Sequence, residues 1–243
     1  MSGSPSWNDL FLDPRFHWTE PDPGVVSVAP RWREEGRRVV YDLGCGAGRH
    51  MAYLQAEGFQ AVGSDVAPNG LSVCRAQLAA AGLPAKVVRA DMTACPFADA
   101  TFDAAVSTNV LNHNPRALLQ RALDELHRVL KPGGEAYLTV LSTDDWRCGS
   151  GEEVEPNSFV LAEGPEAGIL HHFFDEADLR DWVRGFTLLD LQRIRGSSTS
   201  SVRAGGDPVE KDAWAVWLRV PPAHCHRSSS SNHTRPIPPA ASR

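Results

Sequence analysis

The sequence lacks any apolar run of about 18 residues, which is the least that a membrane-spanning helix needs. Its 243 residues therefore predict no membrane span and no membrane partner. The opening MSGSPSWNDLFLDP also lacks the basic and apolar regions of a secretory leader. We expect a cytoplasmic location.

Basic residues are also fewer than acidic ones. Lysine and arginine number 24 against 30 aspartates and glutamates, which gives a formal net charge of −6. Binding of nucleic acid depends on a basic surface that neutralises phosphates. The sequence shows no basic stripe, so we expect no nucleic acid partner.

Paired cysteines and metal-ligand spacings are also missing. The five cysteines are odd in number and form no C-x-x-C, which is typical of reduced thiols rather than a disulfide framework or a zinc site. Histidine and cysteine cluster only at His224, Cys225 and His226, in a Ser/Pro-rich stretch. Structural zinc sites draw ligands from separated elements, so we predict no metal site.

Strand-like and helix-like segments alternate from Arg38 to Val220. This pattern indicates an α/β domain over residues 38–220, with a mostly parallel sheet covered by helices on both faces. The run PRALLQRALDELHRVLKPGG predicts a helix closed by Pro132 and Gly133. The last two strands, FTLLDLQRI and DAWAVWLRV, should pair antiparallel because only the loop GSSTSSVRAGGDP joins them.

Three segments stand outside this alternation. Residues 1–37 predict an irregular, aromatic-rich arm with a short helix. Residues 142–175 are too long for a plain connection and predict a substrate loop. Residues 221–243, rich in Ser, Pro, His and Arg, predict a disordered tail.

The stretch VVYDLGCGAGRH, residues 39–50, places three glycines in the turn after the first strand. Such a turn directs backbone N–H groups at a ligand and lets the ligand approach the backbone closely. A dinucleotide site reads G-x-G-x-x-G, whereas here the sixth position is Arg49. Asp42 would repel a pyrophosphate but attract an ammonium or sulfonium group, which favours S-adenosyl-L-methionine.

Acidic side chains also end the second and third strands. Asp65 follows the glycines by about 20 residues, where an acid can hold ribose hydroxyls. Asp91 and Met92 are placed to contact the adenine ring. Each acid alone could equally be a helix cap or a loop residue.

Together these motifs resemble the class I S-adenosylmethionine-dependent methyltransferases of the small, single-domain type. The resemblance covers VVYDLGCGAGRH, GSDVAP, RADM, FDAAVSTNVLNH and LHRVLKPGGEAYLTV. It implies a Rossmann-like, doubly wound seven-stranded sheet with strand seven antiparallel. It also implies methyl transfer with this set of cofactor-binding residues: Asp42, Gly44, Cys45, Gly46, Gly48, Asp65, Val66, Asp91, Met92 and Asn109.

On the substrate side, GEEVEPNSF and LHHFFDE resemble a subgroup that acts on small molecules. Glu155, Asn157, His171 and His172 are therefore substrate-side candidates. A carboxylate or neutral imidazole could accept a proton from the acceptor. With His113 just after strand four, we take Glu155 and His171 as the catalytic candidates.

The sequence thus predicts a methyltransferase for a small-molecule acceptor, acting as a monomer or homodimer. Two alternatives stay open. A dinucleotide-dependent oxidoreductase is disfavoured by Asp42 and by the missing glycine. Only the substrate loop argues against a non-catalytic S-adenosylmethionine-binding regulatory module.

Overall fold

A computed structural model describes residues 6–202 and 208–222. Six α-helices, one 3-10 turn and ten strands follow one another within these residues, and their order supports the predicted alternation. In chain order they are α1 (Trp7–Leu10), a 3-10 turn (Pro14–Phe16), α2 (Pro23–Glu34), β1 (Val39–Leu43), α3 (Arg49–Ala56), β2 (Gln60–Asp65), α4 (Pro68–Ala80), β3 (Val87–Arg89), β4 (Phe102–Thr108), α5 (Arg116–Val129), β5 (Leu130–Leu141), β6 (Glu152–Glu155), β7 (Ser158–Val160), β8 (Leu170–His172), α6 (Glu176–Trp182), β9 (Thr187–Val202) and β10 (Pro208–Arg219).

Seven strands form the main sheet in the order β3-β2-β1-β4-β5-β10-β9. The strands β1 to β5 pair in parallel with their neighbours, and β10 runs antiparallel to both β5 and β9. The predicted doubly wound, mostly parallel sheet with a reversed last strand is confirmed. The crossover between β1 and β4 opens a crevice at the carboxyl ends of the strands, where such sheets bind ligands.

Helices cover both faces of this sheet. On one face the apolar stripe of α5 contributes Leu119 and Leu126, which share a buried cluster with Trp182 of α6. On the other face Trp32 of α2 and Met51 of α3 are fully buried. The sheet is therefore enclosed, and only its strand ends are free to form a site.

The arm before β1 is more ordered than the sequence indicated. Beyond α1 and the 3-10 turn it contains the 12-residue α2, which begins at Pro23 after an Asp22 side-chain cap. The residues Val25, Ala29 and Trp32 of α2 are fully buried. The irregular arm ends before Pro23, and α2 is part of the core.

Glu135 of β5 ties this helix to the sheet. Its side chain is only 2% exposed and accepts hydrogen bonds from Arg31, Arg219 and the Trp32 indole nitrogen, the last at 2.8 Å. Arg37 lies 3.2 Å from the same carboxylate. A buried carboxylate with this many donors is a paired charge, so its burial carries a much smaller penalty.

Residues 142–175 contain a second sheet, of three antiparallel strands in the order β6-β7-β8. Phe173 and Phe174 are fully buried and anchor its end to the core, and Ser142 bridges to Phe174. The long connection is therefore a small folded layer rather than an open loop.

Two predicted boundaries were wrong. The helix α5 ends at Val129, because Leu130 is already extended (ψ 142°) and pairs with Phe102. The strand β9 continues to Val202 through residues predicted as loop, because β10 supplies a partner along its length. Most of the predicted disordered tail, from residue 223 onward, lies outside the described residues.

Candidate active site

A cavity of about 570 Å³ lies at the carboxyl ends of the parallel strands. Its floor is the glycine turn after β1, and aromatic residues of the arm cover it from above. Most of the residues predicted to bind the cofactor line this cavity: Gly44, Cys45, Gly46, Asp65, Val66, Asp91, Met92 and Asn109. Asp42 and Gly48 are not among the lining residues.

The three glycines of the turn serve different purposes. All have positive φ, at 74° for Gly44, 50° for Gly46 and 93° for Gly48, which favours glycine. A side chain on Gly46 would meet the Phe11 ring at 2.9 Å, at the cavity floor. A side chain on Gly48 would meet the Cys74 sulfur at 2.5 Å, so this glycine permits α3 to pack on α4.

The turn does not direct its amides at the cavity as the sequence suggested. Gly44 and Cys45 donate their N–H groups to the Ser64 carbonyl, at 2.8 and 2.9 Å. The Gly46 N–H donates to the Asp65 carboxylate at 2.8 Å. These three N–H groups bond to Ser64 and Asp65 at the end of β2. At Gly44 and Gly46, the turn presents backbone without side chains to the cavity.

Asp65 lies beside the turn and faces the cavity. Besides Gly46, it accepts a hydrogen bond from the Ala67 N–H, at the start of α4. Burial raises the pKa of Asp65, the two backbone donors lower it, and the raising effect prevails. Asp65 therefore lines the site and holds the backbone between β2 and α4, but it does not cap α4, whose N-cap residue is Ala67.

Asp42 lies beneath the cavity rather than on its wall. It is 1% exposed, and its Oδ1 atom is 3.8 Å from Nδ1 of His50, which does line the cavity. Its Oδ2 atom has no hydrogen-bond partner among the residues that the structure describes. Asp42 therefore places a negative charge just under the floor.

His113 lines the same cavity as the glycine turn. Its ring contacts Trp7 at 4.4 Å and His171 at 4.6 Å between ring centroids. Burial and the nearby His171 hold the pKa of His113 well below 6.5, so its imidazole is neutral at neutral pH. A neutral imidazole on a cavity wall can accept a hydrogen bond or a proton.

His171 lies behind His113 and outside the cavity lining. One ring nitrogen faces the Ile169 carbonyl at 3.1 Å, and the other is 2.9 Å from the Glu166 carboxylate. Although Glu166 is largely buried, His171 and Arg147 lower its pKa to about 2. His171 thus supports His113 and does not itself reach the cavity.

The remaining substrate-side candidates form a separate network. Glu155 accepts hydrogen bonds from the Arg116 N–H at 2.5 Å and from Ser158 at 3.1 Å, so it caps α5. His172 bonds to Ser158 and to Asp178 of α6. The backbone N–H of Asn157 lies 3.3 Å from Glu153, on the outer sheet. None of these three side chains lines the cavity described here.

Sequence reasoning missed several charged residues of the cavity wall. Arg49, Arg147, Glu166 and Lys211 all line it. Lys211 stands between Glu210 and Asp212, just before the predicted strand DAWAVWLRV, so no local pattern distinguished it. Asn112 was also missed, and its buried amide has no hydrogen-bond partner in the described part of the chain.

Comparison with known proteins identifies the fold and its family. Residues 40–134 match the family model of a methyltransferase domain. An S-adenosylmethionine-dependent methyltransferase from Methanosarcina mazei has the same fold, with a TM-score of 0.67 at 20% identity over 84% of this chain and 99% of that one. A sterol 4-C-methyltransferase from Caenorhabditis elegans is 34% identical over 146 residues, 57% of this chain and 43% of that protein. The chain therefore contains a methyltransferase domain and has the fold of S-adenosylmethionine-dependent methyltransferases.

This confirms the resemblance seen in the motifs. A second methyltransferase, which acts on demethylmenaquinone in Thermus thermophilus, is 37% identical over 114 residues, 43% of this chain and 51% of that protein. The chain thus spans about half the length of the curated relatives it matches. The family model stops at Gly134, before the small sheet that carries His171.

The cavity fits S-adenosylmethionine, the cofactor of the methyltransferases that share this fold. That cofactor carries an ammonium, a sulfonium, a carboxylate, two ribose hydroxyls and an adenine ring. The structure offers the negative charge of Asp42 under the floor and the Asp65 carboxylate on the wall. It also offers the Arg49 guanidinium next to the turn and the Met92 side chain near Asp91.

No helix within 6–202 and 208–222 is long and apolar enough to cross a membrane. No group of three or more His, Cys, Asp or Glu side chains in those residues is arranged to hold a metal ion. The His224–His226 cluster lies outside them.

Proposed function

We propose that the chain transfers the methyl group of S-adenosylmethionine to a small-molecule acceptor held beside His113. The observation that carries this proposal is one continuous cavity, which joins the glycine turn and Asp65 to the imidazole of His113. Two relatives are named for sterol and demethylmenaquinone acceptors, which supports a small molecule here. The unpaired cysteines favour a reducing, cytoplasmic compartment.

Each group on the cofactor side has a distinct role in this proposal. Asp65 would accept hydrogen bonds from the two ribose hydroxyls, and Met92 beside Asp91 would cover the adenine. Arg49 would pair with the carboxylate, and Asp42 would balance the positive groups from below. When bound, the cofactor supplies an electrophilic methyl group. The arm residues Trp7 and Phe11 would exclude water from that end of the cavity.

His113 would hold the acceptor and receive its proton. Burial keeps the imidazole unprotonated, so it can accept a hydrogen bond from a hydroxyl or amine at the reacting atom. The Trp7 ring on one side and His171 on the other fix the plane of His113. Glu166 holds His171 in place, so we take His171 as a positioning residue.

A test of the whole proposal needs binding and product measurements together. S-adenosylhomocysteine should bind in calorimetry, and isotope-labelled S-adenosylmethionine should label a small molecule in a cell extract. Binding with no labelled product from any extract would favour the non-catalytic module. Binding of NAD in place of S-adenosylhomocysteine would favour the oxidoreductase.

Replacing His113 by alanine is expected to lower kcat by about 10²-fold, the low end for a general base, because its pKa lies below the operating pH. Affinity for S-adenosylhomocysteine should stay within about threefold, since the proposal assigns no group of the cofactor to His113. The matched control is His127→Ala, because His127 contacts Phe186 outside the cavity. Equal turnover of both variants would remove His113 from the reaction.

The lowered pKa of His113 also predicts how the reaction rate depends on pH. Because the pKa of His113 lies well below 6.5, the active neutral form should persist to below pH 6.5. We expect kcat/KM to be flat at about pH 6.5–7.5 and to fall only in more acidic buffer. A rate that rises through about pH 6.5 would indicate an imidazole with an ordinary pKa.

Replacing Asp65 by alanine is expected to weaken S-adenosylhomocysteine binding at least about tenfold, because hydrogen bonds to a charged group contribute about 1.5–3 kcal/mol each. Asp65→Asn should weaken binding less, since it keeps one acceptor oxygen for Ala67. Calorimetry measures both variants, and the melting temperature reports any loss of stability from the broken hydrogen bonds to Gly46 and Ala67. Unchanged affinity in a folded Asp65→Ala variant would place the ribose elsewhere.

A further inference from the structure

Three cationic side chains line the cavity, and they differ in their partners. Arg147 is neutralised: its guanidinium bonds to Asp145 at 2.8 Å and to Glu166 at 3.2 Å. Arg49 and Lys211 have no carboxylate oxygen within 4.0 Å among the residues in the described ranges. Two positive charges of the wall are therefore left without a counter-ion from those residues.

Neutral groups hold each of these two cations in place. Arg49 donates to the Thr108 hydroxyl at 2.9 Å and lies over the Trp18 ring, 5.5 Å from its centroid. Lys211 donates from Nζ to Oδ1 of Asn109 at 2.5 Å. Asn109 has a left-handed backbone (φ 57°) at the end of β4. Both cations are thus oriented, but neither is neutralised.

The surroundings of Lys211 disfavour its charge in the protein alone. Burial and the nearby Arg147 lower its pKa to about 8, and Arg49 acts in the same direction. Asp145 and Asp22 oppose this shift only in part. A partly buried ammonium ion without a counter-ion is costly, and an anion bound beside it would offset that cost.

The number of anionic groups on the cofactor distinguishes the role of Arg49 from that of Lys211. The cofactor of the proposed reaction has one carboxylate, and Arg49 is the cation that follows the glycine turn directly. Lys211 lies in β10. Its partner Asn109 directly follows β4, which is two strands away from β10 in the sheet. After the cofactor carboxylate has been matched to Arg49, Lys211 still has no anion.

We propose that Lys211 binds an anionic oxygen of the methyl acceptor, so that the acceptor is a small acid, either a carboxylate or an ionised phenol. This inference rests on the proposed function and narrows its substrate class. It also places the negative charge of the acceptor in the same cavity as the neutral His113.

The test uses the full chain saturated with S-adenosylhomocysteine and matched pairs of probes. Benzoate is compared with benzamide, and 4-nitrophenolate with nitrobenzene, by calorimetry at pH 7 and at pH 9. The variants are Lys211→Met, which keeps the length of the side chain but removes the charge, and Lys211→Arg, which keeps the charge. Affinity for S-adenosylhomocysteine is measured for every variant.

We expect at least one anion to bind the wild type about tenfold more tightly than its neutral partner at pH 7. The preference should fall below about twofold in Lys211→Met and return in Lys211→Arg. It should also weaken at pH 9, because the ammonium with a pKa of about 8 has then lost its proton. A preference for benzoate alone would assign a carboxylate, and one for 4-nitrophenolate alone an ionised phenol.

Three results would overturn the inference. One is the absence of any preference for an anion in the wild type, including the absence of measurable binding by either anion. Another is a preference that survives in Lys211→Met. The third is a loss of S-adenosylhomocysteine affinity above about threefold in Lys211→Met, which would assign Lys211 to the cofactor carboxylate. If S-adenosylhomocysteine does not bind the wild type at all, the proposed function itself fails.

Discussion

Replacing Glu135 by alanine is expected to lower the free energy of unfolding by about 3–5 kcal/mol, the usual cost of breaking a buried charge network from one side. The change would leave the Trp32 indole N–H and the Arg31, Arg37 and Arg219 guanidinium groups without their shared carboxylate. These groups join α2 and β10 to β5. Urea unfolding, followed by far-UV circular dichroism, measures the effect.

The matched control is Glu57→Ala. Glu57 pairs with Arg33 at 2.9 Å, but both side chains are well exposed, at 31% and 52%. An exposed pair contributes less than about 1 kcal/mol, so this variant should unfold almost as the wild type does. Equal losses for the two variants would show that the Glu135 network contributes no more than a surface pair.

The same carboxylate predicts how stability depends on acid. Burial alone would raise the pKa of Glu135, but hydrogen bonds from Arg31, Arg219 and Trp32 outweigh it and lower the pKa to about 2. The ionised group therefore stabilises the fold fully above its ordinary value of 4.5, and this contribution is lost as the pH falls toward about 2. In Glu135→Ala, that part of the acid dependence should be absent.

Replacing Gly46 by valine is expected to weaken S-adenosylhomocysteine binding by about 10³-fold, which corresponds to about 4 kcal/mol. The backbone there has φ 50°, and the first side-chain carbon would lie 2.9 Å from the Phe11 ring. A branched side chain would therefore fill the cavity floor and displace the arm above it. Calorimetry on the folded variant measures the loss.

Gly36→Val is the control for backbone strain. Gly36 also has a positive φ, 79°, but a side chain there would meet nothing within 4 Å. Both variants carry the strain of a branched residue in a left-handed conformation, and only Gly46→Val changes the cavity. Retained binding in Gly46→Val would mean that the cofactor does not rest on this turn.

Most of the residues predicted to bind the cofactor line one cavity, and local sequence patterns are what made this grouping predictable. An apolar strand ends where polar residues begin in the sequence, and the carboxyl ends of parallel strands lie at one edge of the sheet. Asp65 and Asp91 could therefore be placed near the glycine turn without knowledge of any distant contact. Gly48 does not line the cavity, and the packing of α3 on Cys74 also requires a glycine there, which no local pattern reveals.

The acceptor side could not be predicted in the same way. Lys211 meets Asn109 across 102 positions of sequence, and only the insertion of β10 beside β5 brings them together. His171 and His172 are adjacent in β8, so their side chains point to opposite faces. One contacts His113 and the other Asp178. The two histidines form one motif in the sequence, but in the structure they belong to different networks of side-chain contacts.

Three charged residues of the cavity come from a stretch of the chain separate from the glycine turn and His113, and this division affects how the protein can diversify. The turn and the strand-end acids precede Gly134, whereas Arg147, Glu166 and Lys211 follow it. Mutations after Gly134 can therefore explore new acceptors while the first stretch keeps its methyl donor. A library restricted to these three later positions would sample substrate range with little risk to donor binding, and selection in nature could follow the same route.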